Sequence, residues 1–134
     1  MIKKIDHIAI AVHDLDSSLK FYTDVLGLEN AGIEEIADQK VRLAMLPIGD
    51  THIELLEPTT EDSPIAKFLE KKGEGMHHIA FRVENLAGEL IRMEEMGVEL
   101  IDKIPKTGAG GNQVAFLHPK STFGVLMELV NKDN

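Results

Sequence analysis

The stretch Gly75–Val83, GMHHIAFRV, sets two adjacent histidines at the head of an apolar run. Its second part, HIAFRV from His78, has a counterpart early in the chain, HIAIAV from His7 to Val12. The two align at a constant offset of 71 residues: His7 with His78, Ile8 with Ile79, Ala9 with Ala80 and Val12 with Val83. The frame continues through Asp14-Leu15 against Asn85-Leu86 and through Leu19 against Leu90. It ends one residue out of step, at Gly27 and Gly97. A repeat of this length is too long for a solenoid unit and points to a duplicated module.

Each copy reads as a strand, a helix and then further strands. Leu15, Leu19, Tyr22 and Leu26 recur at helical spacing on one face, as do Leu86, Leu90 and Met93. Asp14 and Asn85 suit N-caps, because a short side-chain acceptor satisfies free amides of the first turn. Gly27 and Gly97 suit the left-handed residue that closes a helix. The later strands are VRLAML (41–46) and HIELLE (52–57) in the first half, and QVAFLH (113–118) and VLMELV (125–130) in the second. Two more are expected near Gly32–Ala37 and near Glu99–Ile104. The connector holds a short helix at about Pro64–Lys71, with Pro64 in its first turn. The expected architecture is α+β. Two paired βαβββ modules, about 5–57 and 76–130, form one domain over 1–134, a curved mixed sheet around a shared cleft.

A second correspondence is chemical. IELL (53–56) matches MELV (127–130), so Glu54 answers to Glu128. A carboxylate inside an apolar strand is costly unless it has a partner. Here two Glu and two His stand at repeat-equivalent positions, and pseudo-two-fold packing of the halves would bring all four together. Two imidazoles and two carboxylates suit a divalent transition ion, with Co2+, Mn2+, Ni2+ and Zn2+ all compatible. Four such ligands leave two octahedral positions for water or substrate.

The repeat also separates the adjacent histidines, since strand alternation puts them on opposite faces. His78 aligns with His7 and is the ligand candidate, whereas His77 aligns with Asp6 and reads as structural or as support for the site. His52 shares the face of Glu54. His118 closes a strand before Pro119 and is a candidate substrate contact, as is Lys120 just beyond it. His13 reads as exposed turn material.

Composition narrows the function classes. The chain has 134 residues, 43% of them hydrophobic, which fits one globular domain. With no cysteine, it has neither disulfides nor a thiolate ligand or nucleophile. A net charge of −9, no Trp and only one Tyr argue against a nucleic-acid-binding face. Lys67, Lys71 and Lys72 read as a solvated helix face. No stretch approaches the length of a membrane span. The N-terminal MIKKIDHIAIAV lacks the apolar core of a signal peptide, so the chain reads as cytoplasmic. The glycine-rich TGAGGN (107–112) lacks the pattern of a phosphate-binding loop and reads as a flexible loop or a lid.

On these residues the chain resembles the vicinal oxygen chelate superfamily, which has the glyoxalase-like fold. The finer resemblance, over nearly the whole chain, is to its methylmalonyl-CoA epimerase family. It is carried by DHIAIAV, MLPIGDTHIELLEP, DSPIAKFL, GMHHIAFRV and TGAGGNQVAFLHPKSTFGVLMEL. Glyoxalase I proteins commonly have DPDG where this chain has HPKS (118–121). The resemblance implies metal ligands at His7, Glu54, His78 and Glu128, with Co2+ the foremost metal, and a homodimer. It also implies a CoA thioester substrate and inversion of its C2 centre by 1,1-proton transfer through a metal-stabilised enolate, with Glu128 as one base. Some family members carry a glutamate, proposed as a base, where this chain has Leu43, which leaves the second acid/base open among Glu54, His118 and water. The alternatives within the superfamily are glyoxalase I, an extradiol dioxygenase and a metal-free ligand-binding protein.

Overall fold

The structure, a computed structural model, describes residues 1–132. It divides into two compact units, His7–His77 and Met1–Asp6 with the chain from His78 onward. Strand β1 (Ile2–Ala11) straddles the division after Asp6.

The first unit contains the rest of β1, helix α1 (Leu15–Lys20), strands β2 (Gly32–Ile36), β3 (Val41–Ile48) and β4 (Thr51–Pro58), and helix α2 (Pro64–Lys72). Its strands run in the order β2-β3-β4-β1; β1 and β4 are parallel and the others antiparallel. The second unit contains β5 (Gly75–Val83) from His78 on, α3 (Leu86–Glu95), β6 (Lys106–Thr107), β7 (Gln113–Leu117) and β8 (Met127–Asn131). Its order is β5-β8-β7-β6, again with one parallel pair, β5 with β8. Each module therefore sets its first strand beside its last, as the matched sequences require.

Each unit buries one sheet face under its helix. In the first, Val12, Leu15, Ala44, Leu46 and Leu55 form the core, with Leu19, Tyr22 and Leu28 packed against it. In the second, Val83, Leu86, Leu90, Ala115, Leu117 and Leu129 do so, with Met93 added. Helix starts are equally matched. Asp14 accepts the Ser17 amide at 3.2 Å, and Asn85 accepts the Gly88 amide at 3.1 Å. The first helical amide is taken by the last strand: Leu15 donates to Glu57 at 2.7 Å, and Leu86 to Asn131 at 3.2 Å. Glu57 and Asn131 each lie three residues beyond the repeated glutamate. In α2, Ser63 caps the Ile65 amide at 3.1 Å, with Pro64 opening the helix.

The one-residue slip of the repeat has a physical form. After α1 the helix continues through a π-turn, Phe21–Val25, in which Leu26 donates to the carbonyl of Phe21. This wider turn holds one extra residue, and the second-half helix has no counterpart to it. Leu26 was expected on the buried face and is instead exposed, because the π-turn shifts the helical phase. Leu28 packs there in its place. Both helices still close on a left-handed glycine, Gly27 (φ 74°) and Gly97 (φ 90°).

The strand expected near Glu99–Ile104 is not formed. Only Leu100 bridges, to Leu117, and the pairing strand is the short β6. The amides of Ile101 and Asp102 both converge on the Phe116 carbonyl, and the Asp102 carboxylate takes the Phe116 amide at 2.8 Å. A side chain thus replaces a ladder partner, and Pro105 has no amide to offer. The Glu89 carboxyl of α3 is held below its usual range by the Met1 ammonium and then by Arg92. Among the described residues, no helix is long and apolar enough to cross a membrane.

Candidate active site

Strand register fixes which side chains share the sheet face opposite each helix. In the first unit, Glu54 of β4 is opposite Ala9 of β1 and Met45 of β3. By alternation that face also carries His7, His52 and Leu43. The side chains meet accordingly. His7 Nδ1 lies 3.4 Å from Glu54 Oε2, and His52 Nε2 lies 2.9 Å from the same oxygen. The His7 and His52 rings stack with centroids 4.9 Å apart.

The second unit repeats the arrangement. Glu128 of β8 is opposite Ala80 of β5 and Phe116 of β7, so its face carries His78. His78 Nε2 lies 3.4 Å from Glu128 Oε1, and the Phe116 ring packs edge-on against the imidazole at 5.2 Å. His7 is 3% exposed, Glu54 4%, His78 7% and Glu128 6%. Each unit therefore buries one imidazole beside one carboxylate, at the same 3.4 Å.

That spacing bears on a metal. A charge-assisted contact closes to about 2.7–2.9 Å, as His52 to Glu54 does. Two ligand atoms on one ion at about 2.1 Å stand roughly 3.0–3.4 Å apart, depending on coordination angle. The donor types, their burial and the 3.4 Å separation in each unit all fit a divalent transition ion.

The other singled-out residues separate clearly. His77 faces away from the site and packs edge-on against Phe68 of α2 at 4.9 Å. The two histidines of GMHHIAFRV thus divide the work: one closes a helix contact and the other pairs with Glu128. His118 accepts the Lys120 amide on Nδ1 at 3.0 Å and caps the short turn Pro119–Ser121; Lys120 is exposed. Leu43 is buried on the Glu54 face and opposite Leu56. The 107–112 segment is a tight turn in which Gly108 donates to Asn112 and Gly111 to Gly108.

Two residues escaped the sequence reading. Asp6, 2% exposed, holds Lys132 at 3.1 Å and Arg82 at 3.2 Å. Its signal was an acid in an apolar strand at the position matching His77. Lys106 lies over the Phe116 ring at 5.1 Å. It carried no sequence signal, because its place depends on the pairing of β6 with β7.

The chain matches the family model described as Glyoxalase/Bleomycin resistance protein/Dioxygenase superfamily over residues 6–116. It is 44% identical to a Bacillus subtilis protein described as uncharacterized, over 96% of this chain and 91% of that one. It is 41% identical to the ethylmalonyl-CoA/methylmalonyl-CoA epimerase of Cereibacter sphaeroides, over 96% of this chain and 98% of that protein. Among solved structures it matches a glutamate-to-leucine variant of Streptomyces coelicolor methylmalonyl-CoA epimerase in complex with 2-nitronate-propionyl-CoA. The TM-score is 0.96 at 43% identity, covering 98% of this chain and 96% of that one. The chain belongs to the glyoxalase/bleomycin resistance protein/dioxygenase superfamily and, within it, to the methylmalonyl-CoA epimerase family.

Proposed function

We propose that this protein interconverts the (2R) and (2S) forms of methylmalonyl-CoA, with His7, Glu54, His78 and Glu128 holding one divalent transition ion, Co2+ foremost. The observation that carries the reading is the buried His–Glu pair at repeat-equivalent positions in each unit. The near-full-length relatives named as epimerases supply the substrate class. The two units act as one domain, and the same reading makes the protein a cytoplasmic homodimer.

When bound, the ion supplies Lewis acidity toward a thioester carbonyl oxygen and a carboxylate oxygen. The chain supplies the proton transfers. Glu128 accepts the C2 proton. The C–H bond breaks, and its electron pair moves into the thioester carbonyl to give an enolate. Glu54, protonated at the start of this half-reaction, gives its proton to the other face of C2, which inverts the centre and leaves Glu128 protonated and Glu54 ionised. Glu54 takes this role because the β3 positions on its face, Val41, Leu43, Met45 and Pro47, include no acid. His118 is the weaker candidate, since its Nδ1 is occupied by the turn it caps. His52, with Nε2 2.9 Å from Glu54 Oε2, holds that side chain in place.

The test is proton exchange followed by NMR. In D2O with Co2+ and methylmalonyl-CoA, the C2 proton signal should disappear far faster than without protein, and chelation should return the rate toward background. No exchange with Co2+, Mn2+, Ni2+ or Zn2+ would defeat the proposal. Turnover of the glutathione hemithioacetal of methylglyoxal would then select glyoxalase I.

A further inference from the structure

We propose that Lys106 adds to the bound ion a second contact by which this site favours an acyl thioester bearing a free carboxylate over a neutral one. The inference rests on the acyl-CoA reading above and adds a specificity residue to it. In the second unit, Lys106 pairs with Val114, which shares its face with Phe116, and Phe116 is opposite Glu128. One face therefore runs from the His78–Glu128 pair, across the buried apolar patch of Ala80, Val114 and Val130, to the Lys106 ammonium on the edge strand.

The side chain is 42% exposed, yet its ammonium lies over this face. It stands 5.1 Å from the Phe116 centroid, and that ring is 5.2 Å from the His78 ring. Ammonium and imidazole are thus at most about 10 Å apart, roughly one Debye length at 0.1 M salt. The aromatic face favours the cation there. Asp102 adds a tether: its Oδ2 lies 3.4 Å from Lys106 Nζ and is itself fixed by the Phe116 amide at 2.8 Å. One contact leaves an ammonium two further donors for a ligand. Two further cations of this unit, Arg82 and Lys132, both bind Asp6.

A lysine serving the solvent-exposed phosphates of CoA would extend outward. This one folds over the ring that touches the site histidine, at the rim of the apolar patch. The ligand it fits is the acyl carboxylate, which lies one carbon from the reacting thioester.

The experiment compares two ligands on the full chain. Lys106→Met keeps the aliphatic stem and removes the charge, Lys106→Arg restores a cation, and Lys106→Gln serves as a second neutral variant should the methionine variant fold poorly. The neutral variants should raise the KM for methylmalonyl-CoA about 10- to 100-fold, the range for one lost charge-assisted hydrogen bond. Their Kd for propionyl-CoA, which lacks the carboxylate, should stay within about twofold of the parent on the same reasoning, and Lys106→Arg should recover most of the loss. An unchanged KM overturns the proposal. So does an equal loss for both ligands, which would place the contact on the CoA phosphates. Failure of the parent protein to bind either thioester would instead overturn the acyl-CoA reading itself.

Discussion

Glu128→Gln is expected to lower the kcat for methylmalonyl-CoA epimerisation about 10³-fold, the middle of the range for a lost general acid or base. Glutamine keeps the shape of the side chain and an acceptor oxygen. It cannot take the C2 proton, and it brings no negative charge to a cation beside His78. The fold should be unaffected. Glu128 is 6% exposed, between Ala80 and Phe116, and burying its charge is a cost that the neutral amide relieves. In the metal-free protein the melting temperature should therefore hold or rise, while activity of the metal-loaded variant is lost. Measuring Tm before metal loading and kcat after it, on the same preparation, checks both, and a kcat within about tenfold of the parent would remove Glu128 from the chemistry.

Its chain neighbour should behave in the opposite way. Leu129 points from the same strand to the helix side, 1% exposed, among Val83, Leu86, Leu90, Ala115 and Leu117. Leu129→Ala removes three carbons from a packed core and is expected to cost about 3 kcal/mol. For a domain of this length that is a fall in Tm of roughly 10 °C. At low temperature the folded fraction should retain its kcat, since Leu129 faces away from His78 and Glu128. Urea unfolding with m held constant gives the energy. A loss under about 1 kcal/mol would mean that the core closes around the gap far better than such sites do.

That contrast explains why so much could be read in advance. The residues of the candidate site are few, polar and out of place in apolar strands, so two copies of them align visibly: His7 with His78, Glu54 with Glu128. Strand alternation then assigns faces, and it correctly parted His77 from His78 and joined His52 to Glu54. The features that escaped depend on partners distant in sequence. The Glu57 and Asn131 caps, the Asp6 grip on Arg82 and Lys132, and Lys106 over Phe116 all require strand order and register. The failed strand near Glu99–Ile104 is the same lesson in reverse. Its composition suits a strand, but the Asp102 side chain competes with the backbone for the Phe116 amide.

The π-turn at Phe21–Val25 makes the first-half helix the natural place for the chain to lose a residue. Excising the exposed Asp24 would let the i to i+5 turn relax to an ordinary α-turn, giving this helix the length of its second-half counterpart. Stability should change by less than about 1 kcal/mol, since π-turns occur as single strained turns within α-helices. Excising Glu94 from α3 meets no such slack. It rotates the remainder of the helix and its closing turn by roughly 100° and should cost several times more, in proportion to the core contacts it displaces. Thermal melts of the two deletions would show whether the twin halves of this fold differ in length by an accident that the first one has never had to undo.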